Sequence, residues 1–563
     1  MGGAWVAVVA VLWGILPGWA SGPGGQDAQA DSVLWTWMKG SNTAAPLGTY
    51  GEYQVPAAAN NPGGRSGAVS WVGSTGAFWV FGGYGFNGSS SWLGYLNDLW
   101  KYDPATGNWT WMKGSADTDQ TGVYGPFKEE GESYMPGGRQ AASAWTDNLG
   151  RLLLFGGTGM AEGNFAYRND LWRFDPATKR WAWIKGSSTG GQTGTYGAPG
   201  VPASANTPGA RHLAASWKGG SGALWLFGGY GYDNADGYRY LNDLWAFDPS
   251  TENWTWVNGS YSGNQRGTYG TPGVGAAANA PGARSGAVTW TDSSGMLWLF
   301  GGYGYDGATG NGYLSDLWKY DPATGNWTWV KGSSIANQLG VYGTQGVADA
   351  ANMPGGHSEA VSWTDSSGAL WLFGGGGFAA SGPSGRLNDL WKFDRSTGNW
   401  TWMSGYPSTE MPGTYGTPGT PAPANMPGAR VGANALPGAS GSMWLFGGAA
   451  RDSIGIVNAS NDLWRMTIQD TTKPTGTIVV NSNRSVTNSL NATLSLTWSD
   501  GTGSGVVRMK FSNDGASWTA WEPLAATKAW TLPAGEGYHT VRAMFRDAAG
   551  NNSIVYSDYI RVD

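Results

Sequence analysis

The chain contains no cysteine, which excludes disulfide frameworks, thiolate zinc sites, cysteine nucleophiles and lipid-modified thiols. Charge is scarce: Asp, Glu, Lys and Arg make up 13% of 563 residues, and the net charge is −6. No Lys/Arg cluster supplies the basic footprint that nucleic acid requires. No apolar run is long enough to span a membrane. The one at residues 4–16 suits the core of a secretory signal instead, with cleavage expected after small residues such as Gly18 and Ala20, or Ala28 and Ala30. An exported chain without cysteine fits a bacterial product. Sequences of the HExxH, GxSxG and phosphate-loop types are also missing.

Glycine (95) and tryptophan (36) are abundant, and aromatics make up 14% of the chain. Disordered chains are poor in aromatics, so glycine-rich turns between aromatic strands are the better reading. Four motifs each occur six times. "DLW" begins at Asp98, Asp170, Asp243, Asp316, Asp389 and Asp462, spaced by 72 residues once and by 73 four times. "FGG" begins at Phe81, Phe155, Phe227, Phe300, Phe373 and Phe446. A "PG[GA][RH]" motif ends at Arg65, Arg139, Arg211, Arg284, His357 and Arg430. "W-x-W" begins at Trp35, Trp109, Trp181, Trp254, Trp327 and Trp400.

One repeat reads as four strands: "SGAVSW" (66–71), "AFWVFGG" (77–83), "DLWKYD" (98–103) and "WTWMKG" (109–114). In the turn "DPATGN", Pro presets φ and Gly supplies the positive-φ position of a tight hairpin. Such half-apolar sheets cannot bury their faces alone, and stacking them around an axis gives an all-β, six-bladed propeller. The sixth copy lacks its fourth strand, whereas residues 34–38 are a fourth strand without a unit. Pairing 34–38 with 461–466 completes the last blade and closes the ring. Two tryptophans in that strand, at about 150–250 Å² each, offset a closure entropy that grows only logarithmically with loop length.

From the Lys of "WMKG" to the next "PGGR" Arg spans 27 residues in every unit (Lys39–Arg65 is the first). Each insert carries Gly-x-Tyr-Gly, with Tyr50, Tyr124, Tyr196, Tyr269, Tyr342 and Tyr415. A fixed length implies an ordered loop, pinned by its tyrosine. Strand alternation puts these inserts and the loops between strands two and three on one face, where ligand binding is expected.

The double glycine after an aromatic strand, followed by "NDLWKYDPATGNW", resembles the kelch-repeat propeller family over residues 33–468. The period departs from it, at 73 residues against about 50. Galactose oxidase carries such a propeller with a copper site of two His and a Tyr linked to Cys. The missing cysteine excludes that radical chemistry, and no cofactor or metal is expected.

Features that break the sixfold symmetry are the better functional candidates. His357 stands where five units have Arg, and Glu359 follows two residues later. Facing the same side of a strand, they are candidates for an acid/base pair or two metal ligands, or for polar filling of the axial channel. Glu129, Glu130 and Glu132 form an acidic patch in an otherwise uncharged insert position, suited to a cation or a basic partner, or simply to solvent. Loops 84–97, 230–242 and 303–315 carry Tyr84, Trp92, Tyr95, Tyr230, Tyr232, Tyr238, Tyr240, Tyr303, Tyr305 and Tyr313. Beside Asn and Asp they suit sugar binding, or pack the rim.

After a linker at 469–475, residues 476–563 alternate as strands. "MKFSNDGASWTAWEP" (509–523) and "FRDAAGNNS" (545–553) resemble bacterial immunoglobulin-like or fibronectin-III-like modules, which implies a small β-sandwich. The expectation is an exported or cell-surface recognition protein: residues 1–30 as signal and linker, and a propeller at 31–468 that binds a glycan or protein. The alternatives are a polysaccharide hydrolase or lyase acting near His357 and Glu359, and a structural component of the envelope or matrix.

Overall fold

The computed structural model describes residues 32–563 apart from 44, 90–91, 162–163, 236, 309, 439–440 and 501–504. The predicted export signal lies outside the described residues. The described chain divides into two compact units, residues 32–469 and 470–563.

In the first unit a four-stranded antiparallel arrangement recurs six times among the described residues. The first example runs from Val69–Val72 at the inside through Phe78–Gly85 and Gly94–Asp103 to Asn108–Lys113 at the outside. The last is completed by Ser32–Lys39, which pairs antiparallel with Val457–Gln469 and sets Trp35 opposite Met466 and Trp37 opposite Trp464. The same aromatic contact joins every pair of neighbouring units. Trp109, Trp181, Trp254, Trp327 and Trp400 each lie 5.1–5.5 Å from the FGG phenylalanine of the preceding unit. Trp35 meets Phe373 in the same way at 5.1 Å, so the ring closes through the chain's first described strand.

The repeated motifs meet in one buried knot. Arg65 donates from both terminal nitrogens to Asp98, at 2.7 and 2.8 Å, and also to the carbonyls of Gly63 and Gly82. Tyr50 Oη and Trp100 Nε1 donate to the same carboxylate, each at 2.7 Å. "PGGR", "FGG", "DLW" and the insert tyrosine are therefore four parts of one hydrogen-bonded centre, repeated with Asp170, Asp243, Asp316 and Asp462. A buried charge needs such complete pairing. Burial, with the nearby carboxylate, pushes the phenols of Tyr50, Tyr196, Tyr269, Tyr342 and Tyr415 far up.

The inserts do more than decorate a face. After the tyrosine each runs along the outermost strand of its unit, where Ala57 bridges Trp109, Ala203 bridges Trp254 and Ala422 bridges Trp35. Asn60 Nδ2 donates to Trp109 O, and Asn425 Nδ2 to Trp35 O. Covering the outer strand hides an edge that would otherwise invite pairing with another chain.

The second unit has two sheets. Thr475–Val480, Asn491–Ser499 and Thr527–Thr531 form one; Val506–Ser512, Gly537–Asp547 and Tyr556–Val562 dominate the other. Val480, Leu494, Phe511, Val541, Phe545 and Ile560 fill the space between them. Among the described residues no helix is long and apolar enough to cross a membrane.

Candidate functional site

The innermost strand, read from the sequence as continuous over 66–71, is broken in two. Arg65–Ser66 pairs with the upper part of Phe78–Gly85, and Val69–Val72 with its lower part. The break lies opposite the second-strand bulge, where Gly82 (φ 66°) and Gly83 (φ 104°) take conformations that favour glycine. At the break itself one residue per unit adopts a left-handed conformation: Gly67, Ala141, Leu213, Gly286, Glu359 and Gly432, with φ between 51° and 66°.

These six residues hydrogen-bond to one another around the axis. The amide of Ala141 donates to Gly67 O (2.7 Å), Leu213 to Ala141 O (2.9 Å), and Gly286 to Leu213 O (2.8 Å). Glu359 then donates to Gly286 O (2.8 Å), Gly432 to Glu359 O (3.1 Å), and Gly67 to Gly432 O (2.8 Å). The result is a closed ring of six amides. On one side of it Ala68, Ala142, Ala214, Ala287, Ala360 and Ala433 line a small space of about 170 Å³. On the other a cavity of about 610 Å³ opens. Leu213 and Glu359 border both.

The larger cavity is phenolic. Tyr167, Tyr230, Tyr240, Tyr303 and Tyr313 line it, with His212, Glu359, Arg386 and Glu410. Their rings continue one another: Tyr167 to Tyr230 at 6.2 Å, Tyr230 to Tyr240 at 4.8 Å, Tyr240 to Tyr303 at 5.9 Å, and Tyr303 to Tyr313 at 5.1 Å. Burial raises the phenols of Tyr167, Tyr240 and Tyr313, assisted by their neighbours. Tyr240 is pushed up to about 12, and the Tyr313 phenol rises through burial and then the Glu359 carboxylate. These three are neutral hydroxyls at neutral pH. Burial lowers His212 to about 4, so its ring, packed 4.9 Å from Tyr167, is also neutral.

Two carboxylates face the cavity in different states. Glu410 receives the backbone amide of Arg386 (2.9 Å), the Arg386 guanidinium (3.3 Å) and Nε of Arg451 (2.7 Å). These contacts hold its carboxyl below the usual range despite burial. Glu359 has no hydrogen bond or ion pair to its carboxylate among the described residues, and burial pushes its pKa up.

The expected pairing of His357 with Glu359 needs correction. His357 sits in the buried knot, where its Nδ1 lies 2.7 Å from Gly355 O and its Nε2 3.4 Å from Asp389 Oδ1. It replaces an arginine there and does not line the cavity. The left-handed turn at residue 359 breaks the strand alternation that would have aimed the two side chains together.

Of the tyrosines singled out by sequence, Tyr230, Tyr240, Tyr303 and Tyr313 line the cavity. Tyr84 packs on Tyr95 (5.0 Å), which packs on Phe165 (5.2 Å). Tyr232 and Tyr238 meet at 5.0 Å, and Tyr305 lies 6.2 Å from Tyr240; the cavity lining includes none of these three. Trp92 is 82% exposed. Glu129, Glu130 and Glu132 are exposed on the insert, with Glu130 accepting from Thr178 Oγ1 (2.9 Å). Sequence reading missed Tyr167, Arg386 and Glu410. Register with Tyr95 and Tyr240 around "NDLW" was the available signal for Tyr167.

In the second unit Asp470, Asp500 and Asp547 bring carboxylate oxygens within 4.8 Å of one another, a grouping able to hold a cation. Asp500 accepts from the Gly505 amide and Asp547 from Asn551.

Comparison with known proteins matches residues 125–336 to the KLHDC2/KLHL20/DRC7 Kelch-repeats domain. Among solved structures, YjhT is similar at 15% identity, over 80% of this chain and 99% of that one, with a TM-score of 0.43. A fungal alcohol oxidase of the AA5 family, in complex with copper, is similar at 13% identity over 92% and 99%, with a TM-score of 0.39. A Bacteroides thetaiotaomicron protein of unknown function is similar at 10% identity over 78% and 76%, with a TM-score of 0.38.

Proposed function

Because residues 32–469 form a kelch-type β-propeller, a scaffold suited to protein or glycan binding, we propose that the chain is an exported recognition protein that binds a glycan in the axial cavity. The observation that carries this reading is the arc of five phenols from three consecutive units, Tyr167 to Tyr313, around about 610 Å³. Flat rings stack on the apolar faces of pyranoses while phenolic hydroxyls, which both donate and accept, meet sugar hydroxyls. A volume in the 300–1,000 Å³ range is typical of ligand sites. The apolar run at residues 4–16 supports export.

The geometry favours binding over hydrolysis. A glycosidase needs two available carboxyl groups, and Glu410 is committed to Arg386 and Arg451. A glycan array probed with the full chain tests the reading. Retention on a defined oligosaccharide is expected, with Tyr240→Ala and Tyr303→Ala each weakening it about tenfold, near 1.4 kcal/mol, and His357→Ala leaving it unchanged. Turnover of the bound glycan, abolished by Glu359→Gln, would overturn it in favour of an enzyme.

A further inference from the structure

We propose that the cavity selects a saccharide carrying a protonated amine, with the ammonium seated on Glu359 among the tyrosine rings; this rests on the glycan-binding reading above. Four observations carry it. First, Glu359 occupies a ring position held by Gly67, Gly286 and Gly432 in three other units, at φ 54°. The left-handed conformation costs a non-glycine residue about 1–2 kcal/mol, and such strain collects at functional sites. The equivalent glycines leave room for the side chain: a Cβ on Gly286 would stand 3.1 Å from Glu359 Cγ, and one on Gly432 3.6 Å from Oε2.

Second, the two cavity carboxylates differ in what they lack. Glu410 is saturated by Arg386 and Arg451, whereas the Glu359 carboxylate has no protein donor among the described residues. Glu359 is half-buried. A partly desolvated carboxylate without a protein partner favours a cation, and a charge-assisted N–H donor is the strongest complement a ligand can bring.

Third, the groups facing Glu359 do not already answer its charge. Tyr313, Tyr303, Ser285 and Ser358 bring no cation, burial keeps His212 neutral, and Arg386 is bound to Glu410. The tyrosine faces add the attraction of aromatic rings for a cation.

Fourth, the breadth of the wall argues for a sugar. Five rings drawn from Tyr167 to Tyr313 exceed what one lysine side chain would cover, while an amino-oligosaccharide presents a ring face to several and its ammonium to the floor.

The test is calorimetry with the full chain and three probes: a β-1,4-linked glucosamine oligomer, the same oligomer fully N-acetylated, and a β-1,4-glucose oligomer of equal length. The glucosamine oligomer is expected to bind at least tenfold more tightly than either neutral one at pH 6, where its amines are protonated. Glu359→Gln should remove that preference, so that in this variant the glucosamine oligomer binds no more tightly than the neutral ones. Glu359→Gly, which relieves the backbone, should do the same in a protein at least as stable, which separates lost recognition from lost folding. The preference should shrink as pH falls through the Glu359 titration. Equal binding of all three oligomers, or a preference that survives Glu359→Gln, overturns the inference while glycan binding stands. Binding of none overturns both. A lysine-rich peptide bound as tightly as the glucosamine oligomer overturns the saccharide assignment.

Discussion

Each propeller unit has two parts, and they behave oppositely across the double-glycine bend. Below it, Trp, Phe and Leu fill the space between sheets and recur with little change: Phe81, Phe155, Phe227, Phe300, Phe373 and Phe446 are all buried and meet the same tryptophan. Above it, the corresponding positions drift from Tyr84 to Tyr230 to Gly376 and Ala449. The lower parts pack against neighbours on both sides, so any change is felt by two units. The upper parts face an open cavity and are freer to differ. Constancy marks what holds the ring together, and departures mark what the ring holds.

The sharpest way to break the lower part is at the knot. Arg284→Ala strands the fully buried Asp316 carboxylate without its cation, and should lower the unfolding free energy by about 3–5 kcal/mol. His357→Arg should act in reverse, raising the urea midpoint by restoring the pair that five units have. Urea titrations followed by tryptophan fluorescence read both; a stable Arg284→Ala protein would mean the knot contributes little.

The upper part is exposed next through its imidazole. The His212 pKa is lowered on folding to about 4 from an ordinary 6.5, so unfolded chains bind its proton first. Its contribution is therefore present above about pH 6.5 and is lost as pH falls towards 4, by roughly 3 kcal/mol. In His212→Gln that part of the acid slope should vanish from the pH dependence of the unfolding free energy. An unchanged slope would place the ring in contact with water.

The smallest effect has the opposite sign. Glu359→Gly should stabilise the protein by about 1–2 kcal/mol, since it relieves the left-handed backbone and removes an uncompensated carboxylate. The gain should be larger at neutral than at acid pH. Burial raises the Glu359 pKa on folding, so its destabilisation appears only as pH rises through the titration and the carboxylate ionises. Thermal unfolding at both pH values checks this, and a destabilised variant would show that the side chain is held by protein contacts.

Much of the fold was legible because the motifs recur at fixed spacing, and every one has a partner within its own repeat. The knot joins Arg65 to Asp98 and Tyr50, all in one period, and the unmatched halves at 34–38 and 461–466 announced the closure. The amide ring was not legible. Five of its bonds join residues about 73 positions apart and the sixth closes Gly432 onto Gly67. Three of its members, Ala141, Leu213 and Glu359, are not glycines, so nothing in their side chains signals a left-handed turn. The His357–Glu359 pairing failed for that reason. Arg386, on the strand Gly385–Asp394, and Glu410, in the following insert, are only 24 residues apart, and the same backbone contact recurs as Tyr95–Asp119 and Tyr240–Asn264. There the partners are Tyr with Asp or Asn, so the repeat did not mark this pair as charged, and Arg451 reaches Glu410 only from the next unit.

The pairing of Ser32–Lys39 with Val457–Gln469 also sets a clock on synthesis. The first strand of the ring emerges from the ribosome roughly 430 residues before its mate, on the order of twenty to ninety seconds at about 5–20 residues per second. Until then the circle has a gap, and no intermediate species can possess the fully latched cavity.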